Sequence, residues 1–84
     1  MTNTENLAQS KILVVDDEST IRLALSRFLR TRGFEVDVAD SGVAALELLG
    51  TNRFSLMLCD LRMPGITGLE VVPRALAIDQ DLGI

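Results

Sequence analysis

The sequence predicts an α/β fold: an open, doubly wound parallel sheet with helices packed on its faces. Three observations predict it. Two short runs, "ILVV" at 12–15 and "FSLMLC" at 54–59, are apolar on both alternating faces, as a strand covered on two sides requires. Between and after them come stretches with helical spacing, so that strand and helix alternate as β-α-β-α-β-α. Both apolar runs also deliver the chain into acid, Asp16-Asp17 after the first and Asp60 after the second.

Each element has its own justification. Residues 1–10, "MTNTENLAQS", are polar and without period, and are read as a loose N-terminal arm ahead of one domain over 11–84. The first strand is Lys11 to Val15. A helix follows over about 19–32, where Ile21, Ala24, Leu25, Phe28 and Leu29 fall at helical spacing, Ser19 or Asp17 is the candidate cap and Gly33 the stop. Its polar side carries Arg22, Arg27, Arg30 and Arg32, a face that reads first as solvated.

The second strand, "FEVDVA" at 34–39, sets Phe34, Val36 and Val38 against Glu35 and Asp37, the alternation of an edge strand with one wet face. The second helix, "SGVAALELLG", starts after a cap at Asp40 or Ser41 and stops at Gly50. The third strand occupies 54–59. The loop "LRMPGIT" leads to a third helix, where Thr67 and Glu70 have capping-box spacing and Pro73 is expected to kink the helix or end it early.

Composition narrows the function. Eighty-four residues make one small domain, burying roughly 60–65% of the surface its unfolded chain exposes. With 48% hydrophobic and 24% charged residues the chain is expected to fold. A net charge of −4 argues against nucleic-acid binding, and Asp16, Asp17 and Asp60 account for three of those four units. No apolar stretch approaches the ~20 residues of a membrane span, and the first ten residues lack the basic start and apolar core of a signal peptide, so no membrane partner and a cytoplasmic location are expected. One cysteine, Cys59, and no histidine exclude an intrachain disulfide, a Cys/His zinc site and a histidine base. Any chemistry must run on carboxylates.

In an open parallel sheet the ligand crevice lies beyond the carboxyl ends of the strands. If the first and third strands are neighbours, Asp16, Asp17 and Asp60 converge there. Two carboxylates about 4 Å apart repel by roughly 4 kcal/mol at the effective dielectric of a protein surface, so a cation belongs between them. Hard oxygen donors suit Mg²⁺, which keeps several waters and leaves room for a phosphate oxygen. A carboxylate beside such an ion can attack phosphorus and form an aspartyl phosphate, a reaction that needs no histidine base.

The chain resembles the receiver domain of two-component response regulators. The likeness rests on "VVDDEST", on "DSGVAALELL", and above all on "CDLRMPGITGLE", an aspartate followed three and four residues later by Met63-Pro64 and eight later by Gly68. It spans residues 11 to about 78. It implies a flavodoxin-like sheet with strand order 2-1-3 and a phosphoacceptor at Asp60 that takes its phosphoryl group from a histidine kinase or histidine phosphotransfer protein. Asp17 would ligate Mg²⁺ directly, Asp16 largely through water, Asp60 as acceptor and ligand, and Arg62 through its backbone carbonyl. Such a module is not an enzyme beyond its own phosphorylation and dephosphorylation. Helix 19–32 would lie on the surface offered to the kinase.

Receivers usually have five strands, and this sequence reaches Ile84 about where a fourth would begin. The strand-4 hydroxyl, the strand-5 aromatic and the strand-5 lysine of the family are not in it, and its only lysine, Lys11, stands at the opposite end of the sheet from the acids. Phosphotransfer by this chain alone is therefore in question, and the alternative is a receiver fragment that binds Mg²⁺ or a kinase as an interaction module. A third strand left as an apolar edge also predicts a homodimer, through that edge or by segment exchange. A Mg²⁺-dependent phosphohydrolase is the third class, but the haloacid-dehalogenase-like D-x-D-x-[TV] pattern fails at Glu18.

Overall fold

The computed structural model describes residues 11–60, 62, 65 and 68–84. The N-terminal arm, Met63-Pro64 and the Thr67 cap lie outside them. Along the chain come β1 (Lys11–Val15), α1 (Ser19–Thr31), β2 (Glu35–Ala39), α2 (Gly42–Thr51), β3 (Leu56–Cys59) and α3 (Gly68–Ile78). The three strands form one parallel sheet in the order β2-β1-β3, with Leu13 opposite Asp37 on one side and Met57 on the other.

β1 is central because its sequence has no wet face. Leu13 and Val15 point into a cluster with Ala45 and Leu49 of α2, Val71 and Ala75 of α3, and Met57 of β3. Ile12 and Val14 point the other way, to Val36, and are covered by Leu25 and Leu29 of α1. Only part of the α1 stripe is used: Leu25 and Leu29 are half-buried, while Ile21 and Phe28 are 44% and 54% exposed. β2 likewise departs from a simple wet-and-dry alternation, for Val38 is exposed and Ala39, on the opposite face, is buried.

The helix ends show what local chemistry decides. α1 stops as predicted at Gly33, whose φ of 93° suits glycine, and the N–H groups of Gly33 and Phe34 donate to the carbonyls of Arg30 and Leu29, a Schellman closure. Its start is corrected: the cap position is Glu18 rather than Ser19 or Asp17, with no side-chain capping bond, and the Glu18 N–H donates to the Asp16 carboxylate at 2.9 Å. In α2 the Ser41 hydroxyl accepts from the Ala44 N–H at 3.1 Å, while the helix continues past Gly50 to Thr51 and closes at Asn52. Gly50 has no left-handed φ and is not the stop.

α3 also does not end early, since it runs through Pro73 to Ile78. Pro73 and Leu69 are both exposed, so the Leu69 carbonyl that loses its donor can turn to water.

Both sheet edges are partly closed. The Ala39 carbonyl accepts from the Asp16 N–H, so on alternation the Val36 carbonyl faces the outer edge of β2, where an Arg30 N–H donates to it at 2.9 Å. On the other edge Gly83 bridges Leu56 in parallel, its carbonyl taking the Met57 N–H at 2.8 Å and its N–H donating to Ser55 at 3.0 Å. The bare third-strand edge expected from sequence is thus occupied over its first half. A Cβ at Gly83 would meet the Ser55 carbonyl at 3.0 Å, so the glycine is what lets the two backbones approach.

Candidate functional site

The acids stand where two ladders run out. Asp16 prolongs β1 by donating its N–H to Ala39 at 3.1 Å, and Asp60 prolongs β3 by donating to Val15 at 2.9 Å. Because β1 and β3 are adjacent and in register from Ile12–Leu56 to Val15–Cys59, the residues after them emerge side by side. One carboxylate oxygen from each of Asp16, Asp17 and Asp60 lies within 4.8 Å of the others. All three sequence-predicted acids are therefore brought together.

Their environments differ. Asp16 is buried, Asp60 half-buried and Asp17 exposed. Each of the two strand-end acids also folds its own loop: Asp16 Oδ1 accepts the Glu18 N–H at 2.9 Å, and Asp60 Oδ1 accepts the Arg62 N–H at 3.0 Å. These two Asx turns pin one oxygen of each carboxylate. None of the three is ion-paired among the described residues. The donor set, three carboxylate oxygens without nitrogen or sulfur, fits a hard divalent cation such as Mg²⁺.

Cys59 reports the same field. Burial first, and then the charges of Asp60 and Asp16, push its thiol pKa up. It is a half-buried neighbour of the acids that stays a thiol, as the small-core-residue reading expects.

Arg22 is the participant that sequence reasoning placed on a solvated face. Its guanidinium donates to the backbone carbonyl of Asp16 at 2.7 Å, while its own N–H donates to the Glu18 carbonyl at 3.0 Å. The turn carrying the acids is thus tied to the first turn of α1 from both sides. The available signal was its place four residues after the cap position, one helical turn along and on the same side as the loop. Lys11 stays at the other end, 3.1 Å from Asp37, donating to Asn52 and lying over the Phe54 ring.

The profile of the response regulator receiver domain matches residues 12–84. The chain belongs to the response regulator receiver family. The receiver is 40% identical over 74 residues to Response regulator MprA of Mycobacterium sp. (strain KMS), covering 88% of this chain and 32% of that protein. It is 32% identical over 78 residues to Sporulation initiation phosphotransferase F of Bacillus subtilis (strain 168), covering 93% and 63%. The chain thus spans about a third of the first of these relatives and less than two thirds of the second.

Among solved structures, the response regulator TrrA of Thermotoga maritima, in complex with Mg²⁺ and BeF, superposes with a TM-score of 0.84 at 39% identity over 88% of this chain and 64% of that one. TrrA is also known in complex with the histidine kinase ThkA. The likeness to TrrA includes the flavodoxin-like arrangement of the sheet, here in the order β2-β1-β3. No helix among the described residues is long and apolar enough to cross a membrane.

Proposed function

We propose that this receiver is a phosphoacceptor module whose Asp60 takes a phosphoryl group from the phosphohistidine of a histidine kinase or phosphotransfer protein in a Mg²⁺-dependent reaction. The observation that carries it is the convergence of Asp16, Asp17 and Asp60 within 4.8 Å at the carboxyl end of the sheet. Asp60 is assigned as the acceptor by its place in the receiver motif, at the end of β3 and ahead of "LRMPGITGLE", whereas Asp16 and Asp17 follow β1. A lone pair of the Asp60 carboxylate attacks phosphorus, the P–N bond to the imidazole breaks with its electron pair going to nitrogen, and an acyl phosphate results.

Asp17, Asp16 and the Arg62 carbonyl would hold the ion beside Asp60. When bound, Mg²⁺ offsets the charge of the acids and of the phosphoryl oxygens. The complex of TrrA with Mg²⁺ and BeF and its complex with ThkA support the same assignment of cofactor and partner. The same proposal puts the reaction in the cytoplasm, with a histidine kinase or phosphotransfer protein, not nucleic acid or membrane, as the partner.

A second reading is favoured by Lys11, which is engaged by Asp37 and Asn52 away from the acids and cannot serve the phosphoryl group. On that reading the chain binds Mg²⁺ or a kinase without completing transfer, alone or as a homodimer through the remaining part of the β3 edge or by segment exchange. Intact mass after incubation with Mg²⁺ and acetyl phosphate separates the two. A single phosphoryl adduct that is absent in Asp60→Asn supports the acceptor. No adduct, with Mg²⁺ binding that weakens in Asp17→Asn, leaves the interaction module, and a sedimentation mass independent of concentration then removes the dimer.

A further inference from the structure

We propose that the groove between α1 and the outer edge of β2 is a docking site for an acidic segment of a partner protein: an extended stretch with two carboxylates four residues apart and an apolar side chain between them. The groove, of about 330 Å³, is lined by Ser19, Arg22, Leu23, Ser26, Arg30 and Val38. It contains two guanidiniums and no carboxylate, in a chain whose net charge is −4. Strand alternation explains the segregation: Val36 and Val38 share the α1 side, whereas Glu35 and Asp37 lie on the other, where Lys11 pairs with Asp37 at 3.1 Å.

Both arginines are held in place before any ligand arrives. Arg22 donates to the Asp16 carbonyl at 2.7 Å and Arg30 to the Val36 carbonyl at 2.9 Å. A guanidinium has five N–H donors, so each retains donors for a carboxylate, and neither has an acidic partner among the described residues. Held guanidiniums lose less side-chain freedom on binding than free ones.

The spacing selects the ligand. The Asp16 and Val36 carbonyls that hold Arg22 and Arg30 stand about four strand residues apart, since Val36 lies opposite Ile12, and at ~3.3 Å per residue that is about 13 Å, too far for one phosphate to bridge. An extended peptide advances ~3.3 Å per residue, so acids at the first and fifth positions stand about 13 Å apart. The same geometry puts positions one, three and five on one face. The third side chain then meets Leu23 and Val38, which are 50% and 42% exposed, with the buried Ser26 between the arginines in sequence. This surface does not use the Asp60 carboxylate, and its one link to the acid cluster is the bond from Arg22 to the backbone carbonyl of Asp16.

The test is a titration of the ¹⁵N-labelled chain with the peptide acetyl-Glu-Ala-Leu-Ala-Glu-amide. The expected result is amide shifts at Ser19, Leu23, Ser26 and Val38 that saturate at low salt and weaken as salt is added. Arg22→Gln and Arg30→Gln should each weaken binding about two- to fivefold, the range of an exposed charge pair. Val38→Glu, at an exposed position away from both backbone anchors, should abolish binding while the rest of the spectrum stays dispersed. Shifts confined to Ile21 and Phe28, equal binding of the Lys-Ala-Leu-Ala-Lys peptide, displacement of the peptide by an equal concentration of inorganic phosphate, or undiminished binding by Val38→Glu would each overturn the proposal.

Discussion

The two faces of the sheet are built from the same strands and end in different states. On the α2/α3 face, Leu13, Met57, Val71, Ala45 and Ala75 are all without measurable exposure. In the apolar cluster of the α1 face Ile12, Val14 and Val36 are buried, and Leu25, Leu29, Phe34, Leu56 and Leu58 are partly so. The difference lies in the number of covering helices: two side by side close a three-stranded face, one cannot. Phe28 of α1 is left at the surface, with the Arg32 guanidinium 4.9 Å from its ring centre as partial cover. A receiver's apolar strands therefore specify more covering than the α1 face receives here.

Neighbouring residues on β3 test that contrast most directly, because Met57 faces one side and Leu58 the other. Met57→Ala should cost about 2–5 kcal/mol in chemical denaturation, as a fully buried side chain leaves a cavity. Leu58→Ala, from a half-buried position, should cost only about 1–1.5 kcal/mol. Equal losses would mean that the α1 face is as closely packed as the other.

The helices differ at their starts as well. Ser41→Ala removes the hydroxyl that accepts from Ala44 and should cost about 1 kcal/mol, whereas Glu18→Ala removes no capping bond and should stay within about 0.5 kcal/mol in thermal melts. Phe28→Ser should fall within the same ~0.5 kcal/mol, and a larger loss would show that the exposed stripe of α1 is covered in solution.

The smallest effect concerns the thiol beside the acids. Since burial, Asp60 and Asp16 raise the Cys59 pKa, Asp60→Asn should speed its alkylation at mildly alkaline pH; an unchanged rate would leave burial and Asp16 as the causes. A folded-state pKa above the unfolded one contributes stability below the ordinary thiol pKa. That contribution should be lost as pH rises through the alkaline range toward the folded value.

Much of the fold was legible because it is written in local periods. The two apolar runs, the Gly33 stop and the Ser41 cap act within a few residues of themselves, and the structure keeps them. The misreadings came where a distant or competing partner intervened. Glu18, held through its N–H by Asp16, is the cap position in place of Ser19 or Asp17, and Gly50 is carried inside α2, which closes at Asn52. Arg30 does lie exposed and Arg22 half-buried, and what the helix period could not show is that each donates to a carbonyl six residues away, Asp16 and Val36.

The sequence by itself determined the alternation of strand and helix, the family, and the three acids at strand ends, since each follows from residue type and spacing. Only the tertiary structure decided that those acids share one site, that Gly83 seals half of the β3 edge, and that α1 turns two bound arginines toward a groove without a carboxylate. Convergence depends on strand order and register, and those are fixed by which faces find cover. A period along the chain cannot state that alone.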